Sequence, residues 1–224
     1  MNEIIFFSHI CIVFIFSVIG LKMGRTALVA ILLLQVVLSN LFVTKQIQLF
    51  TLNVTCCDVF AVGSLFCLNL LQNYYGEKFA KKTSSLMLLS LAFVVAMSQL
   101  QIAYTPSKFD AMHPFFKAIC STAPRTMLVS ILCSFCIQRI DIKTFILLKK
   151  LFKKLPFSVL FVCASLISQL CDTIIFTFFA LHNLVSSIKD IIIMSYTIKV
   201  LIILSMATLT TFIKYARRNE RIYI

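Results

Sequence analysis

Seven stretches of this chain each hold close to the 20 or so predominantly apolar residues that a helix needs to cross the ~30 Å hydrocarbon layer of a bilayer. They cover residues 4–21, 26–43, 54–71, 84–103, 116–138, 156–181 and 191–213. Hydrophobic residues make up 60% of the 224 and charged ones 13%, whereas about a quarter of a soluble domain is charged. A water-facing core of this length buries only about two thirds of its chain's surface, so it cannot absorb those runs. The expected fold class is all-α: a polytopic transmembrane helical bundle of about seven helices, one domain over residues 1–224. Disordered, collagenous and direct nucleic-acid-binding classes fail on the same numbers.

The links between the runs set the orientation. Met1-Asn2-Glu3 offers no basic leader and no small-residue cleavage site follows the first run, so that run is expected to stay as a helix. Pro156 opens the sixth run at a first-turn position, where its missing N–H is harmless. Lys22, Arg25, Lys78, Lys81, Lys82, Arg139, Lys143, Lys149, Lys150, Lys153, Lys154, Lys214, Arg217, Arg218 and Arg221 fall on one side of the bundle. Only Lys45, Lys108, Lys117 and Lys189 fall on the other. Fifteen against four puts the C-terminus in the cytoplasm of a bacterial inner membrane and, with an odd helix count, the N-terminus outside. The net charge of +13 then reads as topology and not as a nucleic-acid footprint.

Six of the nine Cys residues (Cys11, Cys67, Cys133, Cys136, Cys163 and Cys171) lie inside apolar runs, where a thiol behaves as a small hydrophobe. The Cys133–Cys136 spacing has no strand beside it to make a redox motif. His9, His113 and His182 lack ligand-spaced company, so no metal or cofactor is expected.

Charges inside the membrane carry more information, because each costs about 2.5–3.5 kcal/mol at a helix centre and persists for pairing or for function. Arg125 lies nine residues in from 116, Asp172 nine in from 181 and Lys199 eight in from 191. At about 1.5 Å per residue those depths are ~13, ~13 and ~12 Å, so two cations and one carboxylate share a layer. Gln169, three residues before Asp172, points off the same helix face. Pairing alone would leave one cation over, which favours a site that takes an acceptor from a ligand. Asn40, with Lys45 beyond it, and Asn69 with Asn73 form a second polar set. Asn in a membrane helix also serves as a plain interhelical hydrogen-bonding group.

The order of motifs resembles one family. Asn40-x4-Lys45 is followed by Tyr75-Gly76-Glu77-Lys78-x-Ala80-Lys81-Lys82 and Thr105-Pro106-Ser107-x2-Asp110. The second half carries Pro124-Arg125, Gln138-x2-Asp141, Ser168-Gln169-x2-Asp172-Thr173-x2-Phe176 and Tyr196-x2-Lys199-Val200. Together these resemble the queuosine-precursor transporters, with a six-helix family core and an extra N-terminal helix. The chain departs from the family pattern at Asn69 and Asn73, where carboxylates are usual, at Phe161-Val162 in place of an Arg, and at Leu209 in place of a Pro.

The resemblance implies import of a 7-deazaguanine base (queuine, preQ1 or preQ0) for tRNA modification. Its substrate-binding set would be Asp172, Gln169, Arg125, Lys199, Asn40, Lys45, Asn69 and Asn73. A guanine-like edge presents adjacent donors and a carbonyl, which a carboxylate with Gln, Arg or Lys can satisfy. The partners are then a small nucleobase and the bilayer, with self-association open. A substrate-capturing subunit of an ATP-driven vitamin or nucleobase importer is the alternative. A membrane-embedded enzyme comes last, for want of a nucleophile–base or metal constellation. No ATP-binding loop is present, so the chain is not expected to hydrolyse anything itself.

Overall fold

The structure is a computed structural model that describes residues 1–42, 45–49, 52–55, 57–120, 124–181 and 188–220. Among these residues eight helices occur: α1 (Asn2–Met23), α2 (Arg25–Leu41), α3 (Asp58–Tyr75), α4 (Glu77–Ala103), α5 (His113–Cys120), α6 (Pro124–Leu151), α7 (Phe157–Leu181) and α8 (Ile188–Glu220). A two-stranded antiparallel hairpin, β1 (Gln46–Leu49) and β2 (Leu52–Thr55), lies between α2 and α3. α1, α4 and residues Phe157–Phe179 of α7 are long and apolar enough to cross a membrane. α2 and Ser195–Thr210 of α8 are shorter apolar helices.

The all-helical bundle agrees with the sequence, but three boundaries do not. The expected run 54–71 begins as a helix only at Asp58, because Gln46-Ile47-Gln48-Leu49 and Leu52-Asn53-Val54-Thr55 alternate polar and apolar residues and pair as strands. The expected run 116–138 is two helices, with Pro124 opening the second at the position that tolerates it. That second helix, α6, runs on to Leu151, so most of the lysine-rich link is helical.

α3 is the centre of the bundle, packed against α1, α2, α4, α6, α7 and α8. Its sequence is apolar on every side, and residues 62–72 are all buried, as a helix surrounded by others requires. Phe66 sits at its middle with Phe161 (5.1 Å, edge-on), Phe14 (5.4 Å) and Phe157 (6.1 Å) around it. The outer faces carry the opposite pattern. Ile12 and Phe16 of α1, Leu89 and Phe93 of α4, and Ile174 and Phe178 of α7 are exposed, a surface that lipid solvates and water does not.

Gly63 lets α3 close on the first two helices. A Cβ there would fall 2.2 Å from Gln35 Oε1 and 2.5 Å from Val13 Cγ1. Beside it, Gln35 Nε2 donates to Ser17 Oγ (3.3 Å), and the Ser17 hydroxyl donates to Val13 O (2.7 Å), tying α2 to α1. At the far end the helices turn back on single residues. Gly24 (φ 112°, ψ 176°) joins α1 to α2, and Gly76 (φ 88°, ψ 166°) joins α3 to α4; both conformations are essentially restricted to glycine.

Candidate binding site

Four helices leave a cleft between them on the hairpin side of the bundle's middle. α2 contributes Ser39 and Asn40, α3 contributes Ser64, α6 contributes Gln138, and α7 contributes Gln169 and Asp172. The cleft holds about 50 Å³ of internal space and is partly open to the outside. Its polar groups come from helix faces that alternate with apolar ones. Ser168 and Gln169 turn inward on α7 while Ile167 and Leu170 turn out.

Lys199 of α8 lies behind this lining. Its ammonium donates to Asp172 Oδ2 (2.7 Å) and to Thr173 Oγ1 (3.2 Å), and the side chain is almost wholly enclosed while Asp172 keeps 20% exposure. Thr173 in turn donates to Gln169 O (2.8 Å), which fixes the hydroxyl that receives the ammonium. Asp58, buried in the first turn of α3, acts electrostatically on the same Lys199.

Two carboxamide oxygens in the lining, Gln138 Oε1 and Gln169 Oε1, are buried without a hydrogen-bond partner among the described residues. Each such group costs about 1–3 kcal/mol when left unmet. Gln138 is held by its NH2 on Met87 Sδ. The described lining is therefore rich in acceptors: one carboxylate and two free amide oxygens. Of the two cations expected in this layer, Lys199 is taken up by Asp172, and the side chain of the other, Arg125, lies outside the described residues.

Of the eight residues singled out from the sequence, Asp172, Gln169 and Asn40 line the cleft, and Lys199 supports it from behind. Asn40 Nδ2 also donates to Val36 O (3.0 Å). The Arg125 side chain lies outside the described residues. Lys45 is exposed beside the hairpin, its backbone N–H donating to Phe42 O (3.0 Å). The structure takes the remaining two elsewhere. Asn69 is fully buried below the cleft and donates to Asp141 Oδ2 (2.8 Å), and Asn73 accepts from Lys149 Nζ (2.9 Å) at the lysine-rich end.

Gln138, Asp141 and Asp58 escaped the count of intramembrane charges and site residues. The signal for the first two was the polar pair Gln138-x2-Asp141, one helix face with two polar groups. For Asp58 it was a carboxylate inside the third apolar run. Phe161, standing where the resembled family carries an Arg, is fully buried against Phe66 and Phe157. No group of three or more possible metal ligands occurs among the described residues, and the eight described cysteines are free thiols.

An apolar-faced helical bundle with a polar cleft between its helices defines an integral membrane protein of the transporter kind. The chain belongs to the family described as "putative vitamin uptake transporter", which matches residues 58–213, the family to which the queuosine-precursor resemblance pointed. The match takes in α3 through most of α8 and leaves α1, α2 and the hairpin outside it. No curated protein and no solved structure shows a significant match.

Proposed function

We propose that this protein imports 7-deazaguanine precursors of queuosine across the bacterial inner membrane, with the cleft as the binding site. The observation that carries the reading is the acceptor set of Asp172, Gln169 and Gln138, two of whose amide oxygens have no partner among the described residues. A 7-deazaguanine has the matching deficit, with an amino group and ring N–H groups that need acceptors. Asp172 accepts the adjacent N–H and NH2 donors of the guanine-like edge, and each Gln oxygen accepts one more. The Ser134 hydroxyl faces the base carbonyl, and Asn40, whose NH2 donates to Val36 O, lines the same cleft. Lys199 contributes indirectly, by holding Asp172 in place through the 2.7 Å ion pair. Lys45, Asn69 and Asn73 belong to the passage on either side of the base rather than to its immediate contacts.

Orientation in this reading follows the charge split, with the hairpin end and N-terminus outside and the lysine-rich end in the cytoplasm. A tag after Ile224 is then protected in intact cells, and a tag at Met1 is accessible; a cytoplasmic N-terminus would reverse the assignment. The import itself is tested by feeding labelled queuine and preQ1 to cells unable to make queuosine and measuring queuosine in tRNA. Cells carrying the protein gain the modification, and those carrying Asp172→Asn do not. No gain with either base would discard the substrate class.

A further inference from the structure

One helical turn below the cleft on three helices lies a second polar cluster. Asn69 follows the cleft residue Leu65 by four on α3, Asp141 follows Gln138 by three on α6, and Ser168 precedes Gln169 on α7. Asp141 is wholly enclosed. Its two oxygens meet Asn69 Nδ2 (2.8 Å to Oδ2) and Ser168 Oγ (2.7 Å to Oδ1). No ion pair reaches it among the described residues. Around it on α3, Asn69 faces the carboxyl and Gln72 donates to the adjacent Ile142 O (2.9 Å), while the Cys67 thiol lies with Ser17 and Gln35. Of the charged groups on the packed elements, Lys78 and Lys82 of α4 are exposed. Lys199 of α8 is held by Asp172 of α7, Lys81 of α4 pairs with Glu77, and Asp58 lies eleven residues along α3, ~16 Å away. On α6 itself, Arg139 donates to Ser85 Oγ (2.7 Å) and Lys143 is exposed.

An ionised carboxylate enclosed with no countercharge is costly, and the usual relief is to take up a proton. The surroundings of Asp141 accommodate that without moving a heavy atom. Ser168 Oγ also lies 3.0 Å from Ala164 O. With the acid neutral, its O–H donates to Ser168 Oγ and the serine hydrogen turns to Ala164 O; with the acid ionised, the serine hydrogen turns to Asp141. Asn69 donates to the other oxygen in both states.

We propose that Asp141 is a proton-binding site that couples uptake to the proton gradient, an inference that rests on the import reading above. A proton from water on the side of substrate capture forms an O–H bond at Asp141. The same bond breaks to water on the opposite side, so that each base enters with a proton.

The test uses the full chain reconstituted in liposomes. With an inwardly directed acid gradient, wild type accumulates labelled queuine or preQ1 at least tenfold above equilibrium, and a protonophore abolishes the excess. Asp141→Asn keeps the shape and both hydrogen bonds of the neutral acid, since its NH2 donates to Ser168. It exchanges internal for external label as wild type does but does not accumulate it. Should that variant assemble poorly, Ser168→Ala keeps the carboxyl and shifts the pH of half-maximal accumulation. Infrared spectra of wild type minus Asp141→Asn carry the band of a neutral carboxyl. Accumulation indifferent to the gradient, or Asp141→Asn accumulating as wild type does, overturns the coupling. Absence of any exchange by wild type sinks the import reading instead, and the infrared band still decides whether Asp141 holds a proton.

Discussion

Asp172, half-buried, and Asp141, wholly enclosed, are carboxylates one layer apart in the same bundle, and their surroundings differ in kind. Asp172 has a full countercharge at 2.7 Å and an open side toward the cleft. Asp141 has only neutral donors and no opening. The first is paired with a cation and faces the space that something can enter; the second has hydrogen-bonding partners whether or not it carries a proton. Burial alone therefore says little about what an acidic group does. Its partners decide.

A single substitution applied to both residues gives the sharpest test. Asp172→Asn strands the Lys199 ammonium in an enclosed site, and leaving one partner of a buried pair alone costs roughly 3–5 kcal/mol. We expect strongly reduced protein levels, a lower Tm in detergent and no uptake. Asp172→Asn combined with Lys199→Met removes the stranded charge and restores the protein level while uptake stays absent. Recovered uptake in the double variant would make the pair structural only.

A smaller loss separates both carboxylates from plain packing. Gly63→Ala drives a methyl group into Gln35 and Val13, and overpacking of this sort costs about 1–3 kcal/mol. Tm should fall, while the affinity for base in the folded fraction and its pH dependence stay as in wild type. A changed affinity would mean that the docking of α1 and α2 shapes the cleft. Gln169→Leu divides affinity from stability within the cleft. It removes a buried oxygen that has no partner, so Tm holds or rises, while affinity for base drops by about tenfold for the lost hydrogen bond of ~1.4 kcal/mol. An unchanged affinity by direct binding would remove Gln169 from the site. Smallest of all is Asp141→Asn, whose Tm should match wild type within the effect of an exposed surface change.

The bundle was legible because apolar runs of about 20 residues announce themselves, and the layer shared by Asp172 and Lys199 followed from counting residues inward from the helix ends. What was lost lay at those ends. Two four-residue strands are too short to stand out beside apolar runs of membrane length, so the end of β2, Val54-Thr55, reads as the start of the third run. Ending the fifth run at Gln138 set Asp141 outside the bundle, although α6 continues for more than three turns. Burial there comes from α3 and α7, whose positions no local pattern reveals. The same holds for Asn69 and Asn73: four residues apart on one helix, they sit on the same face, yet one bonds Asp141 and the other Lys149.

The one-residue joints at Gly24 and Gly76 bear on how the chain is made. Two antiparallel helices with a single residue between them cannot be threaded into a bilayer independently, since the second must turn back as soon as the first is in place. In the import reading α1 with α2, and α3 with α4, enter the bilayer as paired hairpins. Each joint is flanked by its own lysines or arginines: Lys22 and Arg25 at the first, Lys78, Lys81 and Lys82 at the second. On that reading the charges beside each glycine set which way a pair faces, apart from the helices that complete the cleft.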